Sequence, residues 1–113
     1  MIQMKFDTAL LLVDVQHDFL PGGALAVPQG DEILPIIASL QPMFDFSVAT
    51  QDWHPAHHGS FAANHPGTQP GQQIDLEGLS QILWPVHCVQ GTSGADFPTT
   101  LDQSRWKAVF QKG

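Results

Sequence analysis

Positive charge is scarce in this sequence. Four Lys and Arg stand against eleven Asp and Glu, a formal net charge of −7 over 113 residues. Nucleic acids and anionic membrane surfaces are held by clustered cations, so this composition excludes both as the main partner. Long apolar runs are missing as well. The longest, Ala9 to Val13, is far short of the roughly 20 residues a membrane span needs, and no cationic-then-apolar leader opens the chain. The expectation is a cytoplasmic protein that does not enter a membrane. Cysteine is nearly absent: Cys88 stands alone and can form no internal disulfide, which agrees with a reducing compartment. Internal repeats and low-complexity tracts are lacking too. At 42% hydrophobic residues, a chain this short supports one core, as one small domain or a piece of a larger one.

What is abundant is unevenly spread. The chain holds 10 Gly, 9 Pro and 6 His, and all the histidines except His17 fall between His54 and His87. The run from Thr8 to Val15 is a short apolar stretch ending near an acid, the pattern of a strand buried on both faces. Pro21-Gly22-Gly23 forces a loop. Asp31-Glu32 then begins a helix whose apolar positions are Ile33, Leu34, Ile36, Ile37 and Leu40, with Pro35 limiting its start to near residue 32. Phe46 to Thr50 reads as a second strand, and a helix between two buried strands predicts a right-handed βαβ crossover in a parallel sheet. A third strand is expected over Lys107–Gln111, after a helical turn near Thr99 to Arg105. From Gln51 to about Lys107 no long periodic segment occurs, and irregular chain of that length is usually functional. The class is α/β, and three strands with one good helix leave the second sheet face without a cover.

Reactive groups in open parallel sheets collect beyond the carboxyl ends of the strands. Asp14 closes the first predicted strand, Asp52 and His54 follow the second, and Lys112 follows the third. A carboxylate at a buried strand end costs several kcal/mol unless paired or hydrogen-bonded; Asp14 either caps a helix, pairs with Lys112 or does chemistry. In an extended Asp52-Trp53-His54 the carboxylate and imidazole point the same way and can share a cation. A third ligand would come from His57, His58, His65 or His87, and two His with one carboxylate suit Zn, Fe or Mn with positions left open. The alternative is a merely solvated His-rich loop. If Trp84 to Cys88 is extended and His87 faces the site, Cys88 faces the packing beneath and is a small buried residue rather than a nucleophile. Phe19 and Trp84 lie in Pro- and Gly-rich loops, as lids on the core or walls for a flat ligand.

Several segments together resemble one family. Leu12-Val13-Asp14-Val15-Gln16-His17-Asp18-Phe19, Pro21-Gly22-Gly23-Ala24-Leu25-Ala26-Val27, Thr50-Gln51-Asp52-Trp53-His54-Pro55, His58-Gly59-Ser60-Phe61, Trp84-Pro85-Val86-His87-Cys88-Val89-Gln90-Gly91 and Val109-Phe110-Gln111-Lys112-Gly113 look like the motifs of the nicotinamidase/pyrazinamidase family of isochorismatase-like cysteine hydrolases, in order and over essentially the whole chain. The resemblance implies a three-layer α/β/α fold on a parallel sheet, of which residues 1–113 would be the N-terminal part of a single domain, with a long metal and substrate loop region at about 51–106. It implies a metal-dependent cysteine amidase converting nicotinamide to nicotinate and ammonia in NAD salvage, with pyrazinamidase side activity. Asp14 would be the catalytic acid/base and Lys112 the catalytic lysine. Asp52, His54 and His87 would bind one divalent metal (Zn, Fe or Mn), with His58 joining the metal shell in some members, and Phe19 and Trp84 would flank the pyridine ring.

The family's nucleophilic cysteine lies in a motif well downstream of the lysine. The expectation is therefore that residues 1–113 lack the nucleophile and are inactive alone, the partners being nicotinamide and either a second copy or the remaining half of the fold. Two other readings are a related isochorismatase-like hydrolase acting on another small amide or vinyl ether, and a non-catalytic metal-binding module. Metal-free relatives generally lack the Asp-x-His pair and the Trp-Pro-x-His segment, and both are present.

Overall fold

The computed structural model describes residues 7–113. Its frame is a parallel sheet of three strands, β1 (Leu10–Val13), β2 (Ser47–Asp52) and β5 (Trp106–Lys112), in the order β1-β2-β5. Helix α1 (Ile33–Leu40) makes the crossover from β1 to β2, as the apolar spacing of that segment predicts. The register pairs Val13 with Thr50 and Asp52 with Lys112, so the carboxyl ends of all three strands form one edge. One face of the sheet is packed. Leu12, Val15 and Ala49 meet Ile37 of α1, Phe97 and Leu101, and Phe97 stands edge-on to Trp106 at 4.8 Å.

The opposite face is bare among the described residues. Leu11, Val13 and Phe110 are 55%, 58% and 59% exposed. The register puts Val13, Thr50 and Phe110 in one row across the sheet. Parallel sheets usually bury both faces; here Val13 and Phe110 of this row are exposed among the described residues.

Several sequence-based boundaries move. β2 runs two residues past Thr50, which places Asp52 inside the strand rather than after it, and Lys112 is likewise the last residue of β5. The helical turn expected near 99–105 shrinks to a single 3-10 turn, Gln103–Arg105, held by the Asp102 carboxylate accepting from the Ser104 N–H. The segment read as irregular contains an antiparallel hairpin, β3 (Gln73–Leu76) and β4 (Leu79–Ile82). Its two-residue turn has positive φ at both Glu77 (52°) and Gly78 (85°), the twist that suits a tight hairpin. Trp84 to Cys88 is not extended throughout either. Cys88 has φ of 48°, in the left-handed region, which breaks the extended run.

Candidate active site

The three strand ends bring the chemistry together. Asp14, one residue past β1, also has a left-handed backbone (φ 53°), and its N–H is bonded to both the carbonyl and the hydroxyl of Thr50. The turned backbone directs the carboxylate across the sheet edge. Its Oδ1 accepts from the Thr50 hydroxyl at 2.7 Å, and its Oδ2 accepts from Lys112 Nζ at 2.8 Å. The second predicted role for Asp14, pairing with Lys112, is thus realised in the geometry. Lys112 Nζ also lies 3.8 Å from Asp52 Oδ1. Partial burial works against the ammonium charge, but the hydrogen bond to Asp14 and the charges of Asp14 and Asp52 outweigh it and hold the Lys112 pKa above the ordinary lysine value.

Asp52, His54 and His87 converge beside this pair, all buried, with candidate ligand atoms within 4.8 Å of one another. His54 Nε2 is 2.9 Å and His87 Nε2 3.3 Å from the same oxygen, Asp52 Oδ2. Asp52 and His54 face the same way because the chain stays extended past the end of β2, the Trp53 N–H bonded to the Lys112 carbonyl at 2.8 Å. His87 arrives on a separate loop that runs parallel to His54, through the Val89 bridge. Its Nδ1 donates to the Pro85 carbonyl at 2.7 Å. In a neutral ring this leaves the Nε2 lone pair facing the carboxylate oxygen, and two acceptors at 3.3 Å call for a cation between them. The buried Nδ1 of His54 has no hydrogen-bond partner among the described residues. Phe61, fully buried, floors the cluster with its ring 5.4 Å from both His54 and His87. Two imidazoles and a carboxylate, dried by an aromatic floor and with one imidazole fixed by an outer carbonyl, fit a divalent metal.

The other predicted site residues take different places. The His58 ring is 4.5 Å from that of His54, but its Nδ1 accepts from the Ser60 N–H at 3.1 Å, which puts the proton of the neutral ring on Nε2 and holds His58 outside the triad. Burial, then the facing His54, lowers its pKa. Phe19 stands 5.7 Å from the His87 ring and lines a cavity of about 380 Å³ with Val13, Asp14, Val15 and Leu20. Trp84 pairs through its main chain with Phe61 and is exposed.

Known proteins share this arrangement of chain. No family model matches. The nicotinamidase of Acinetobacter baylyi is 50% identical over 105 residues, covering 93% of this chain and 49% of the relative. The structure of an Acinetobacter baumanii nicotinamidase/pyrazinamidase superposes with a TM-score of 0.87 at 51% identity, over 93% of this chain and 51% of that one. Over 93% of its length the chain is similar to the nicotinamidase/pyrazinamidase family. Its fold is that of the isochorismatase-like hydrolases. A Pyrococcus horikoshii pyrazinamidase solved in complex with zinc is 38% identical, with a TM-score of 0.65 over 93% of this chain and 51% of that one. The chain spans about half the length of the curated relatives it matches.

Beside this site, Cys88 is not a reactive thiol. It is fully buried, and burial, with the negative charges of Asp52, Asp18 and Asp14, pushes its pKa up to about 12. A thiol attacks as thiolate. At pH 8 iodoacetamide should label Cys88 at least a hundredfold more slowly than it labels the same chain in denaturant, read by mass; equal rates would contradict this account of its surroundings.

Sequence reasoning missed Thr50, whose hydroxyl orients the Asp14 carboxylate, and Gln16. Gln16 is fully buried, donating to the carbonyls of Asp52 (2.8 Å) and Ala95 (2.9 Å) and accepting the Asp52 N–H (2.8 Å). A glutamine directly after a buried strand was the available signal.

Proposed function

We propose that these residues are the base- and metal-bearing part of a nicotinamidase, which hydrolyses nicotinamide to nicotinate and ammonia and accepts pyrazinamide as well. The observation that carries the reading is Lys112, whose ammonium sits 2.8 Å from Asp14 and 3.8 Å from Asp52 and so ties the base to the metal triad at one sheet edge. Asp14 is the acid/base, Lys112 the catalytic lysine, Asp52, His54 and His87 the metal ligands, and Phe19 and Trp84 the flanks of the ring.

An amide is a poor electrophile, and its hydrolysis needs a strong nucleophile and a proton for the leaving nitrogen. Asp14 takes the proton of an incoming thiol; the thiolate sulfur bonds to the carboxamide carbon, and the C–N bond breaks as Asp14 gives that proton to the leaving NH2, which departs as ammonia. Water then cleaves the thioester with Asp14 again as base. The Lys112 charge favours the thiolate. A divalent metal, when bound, supplies an open coordination position for the pyridine nitrogen and so orients the ring.

Cys88, buried and held as a thiol, does not supply that sulfur. It comes from outside residues 1–113, which together form one part of a single isochorismatase-like domain with the loop region 51–106 over the site. The bare row of Val13 and Phe110 is where the rest of the domain packs. With nicotinamide as substrate, the 113-residue chain should release no ammonia. The chain extended through the family's downstream cysteine motif should release ammonia and nicotinate in equal amounts. Release by the 113-residue chain that Cys88→Ala abolishes would overturn the assignment. An extended protein that binds zinc but hydrolyses only other amides would turn the reading to a different isochorismatase-like hydrolase.

A further inference from the structure

Between Asp14 and Phe19, Gln16 and Asp18 turn their side chains back into the protein. The Asp18 carboxylate accepts two main-chain N–H bonds from separate loops, Oδ1 from Ala24 at 3.1 Å and Oδ2 from Cys88 at 2.8 Å. The second partner matters because Cys88 directly follows His87 and has left-handed backbone. A side-chain-bearing residue stays in that region only where its surroundings hold it. The carbonyl of Cys88 in turn accepts the N–H of His54 at 2.9 Å. The main chain of Cys88 therefore joins two of the three triad residues, following one and binding the backbone of the other. Asp18 fixes that junction from behind.

Gly94 completes the arrangement. A Cβ at this position would overlap Asp18 Oδ2 and lie 2.5 Å from its Cγ, and the Gly94 carbonyl touches Cys88 Sγ at 4.0 Å. The carboxylate can reach Cys88 only because position 94 has no side chain.

We propose that Asp18 is a positioning residue for the metal triad: it holds the Cys88 main chain so that the imidazoles of His87 and His54 stay converged on Asp52, and Gly94 leaves the space it needs. The inference rests on the metal-site reading above. Outer partners of this kind typically change metal affinity by about 10–100-fold.

The test is zinc affinity, measured by competition with a chromophoric chelator, for the chain, Asp18→Ala, Gly94→Ala and the double variant, each checked for fold by circular dichroism. Each single variant should bind zinc about tenfold more weakly. The double variant should bind no more weakly than Asp18→Ala, because the closest contacts of a Cβ at 94 all come from Asp18. Losses that add in the double variant, as independent damage to the fold would, overturn the proposal. So does affinity within twofold of the parent in both single variants. If Asp18→Ala does not fold, Gly94→Ala decides by itself, a tenfold loss supporting the proposal and no loss refuting it. A parent chain that binds no zinc removes the metal reading, and this inference falls with it.

Discussion

His54→Ala should weaken zinc binding by at least a hundredfold, and Asp52→Ala and His87→Ala should match it. Structural zinc sites with four ligands have binding free energies of about 10–16 kcal/mol, roughly 3 kcal/mol per ligand, and each 1.4 kcal/mol is a factor of ten. The triad has three donors, so losing one leaves a pair that no longer encloses the ion. His58→Ala is the control. Its Nδ1 is engaged by the Ser60 N–H, so its removal should change zinc affinity less than threefold even though its ring touches that of His54. Chelator competition on the four variants reads both effects. A His58→Ala loss as large as that of His54→Ala would redraw the ligand set, and an unchanged His54→Ala would end the assignment.

The second large effect is on turnover. In a protein carrying the complete domain, Asp14→Asn should lower nicotinamide hydrolysis by about a thousandfold, within the 10²–10⁴ range of a positioned acid/base, while zinc affinity stays within threefold of the parent. The amide is nearly isosteric and keeps one acceptor oxygen, for Lys112 or for Thr50 but not for both; the contacts among Asp52, His54 and His87 do not involve Asp14, so the fold and the triad survive. What it cannot do is take a proton from the thiol. Lys112→Ala should cost less, because it removes a charge near the nucleophile rather than the proton carrier. Since Asp14 holds the Lys112 pKa above its ordinary value, the pair contributes stability below the ordinary lysine pKa. That contribution is lost only as pH rises through the elevated value, outside the working range of an amidase. Near-normal turnover in Asp14→Asn, with metal content intact, would refute the acid/base role.

The parts of the fold legible in the sequence are those set by local pattern. Ile33, Ile37 and Leu40 recur at helical spacing, and Leu10 to Val13 form an unbroken apolar run, so β1, α1 and β2 follow, and with them the strand ends that carry Asp14 and Asp52. The same-side pairing of Asp52 and His54 is legible because it depends only on strand period. The hairpin at 73–82 was hidden because its alternation is weak: Leu79 and Ile82 are exposed, and only the Glu77-Gly78 turn marks it. The convergence of His87 was legible only through family resemblance. Its place depends on Cys88 turning left-handed and on a bond from Asp18, 70 residues away in the chain, and no local pattern encodes such a contact. Gln16 and Thr50 escape for a related reason, since both act on partners 36 residues distant.

Anomalous diffraction at the zinc absorption edge, from crystals of the zinc-loaded chain, locates the ion among its ligands. A single strong peak is expected about 2.0–2.2 Å from Asp52 Oδ2 or Oδ1, His54 Nε2 and His87 Nε2, with Asp14 and Lys112 beside it and not bound to it. A peak ligated by His58 or Asp14 in place of a triad member, or density for zinc only at surface histidines such as His57, would contradict it.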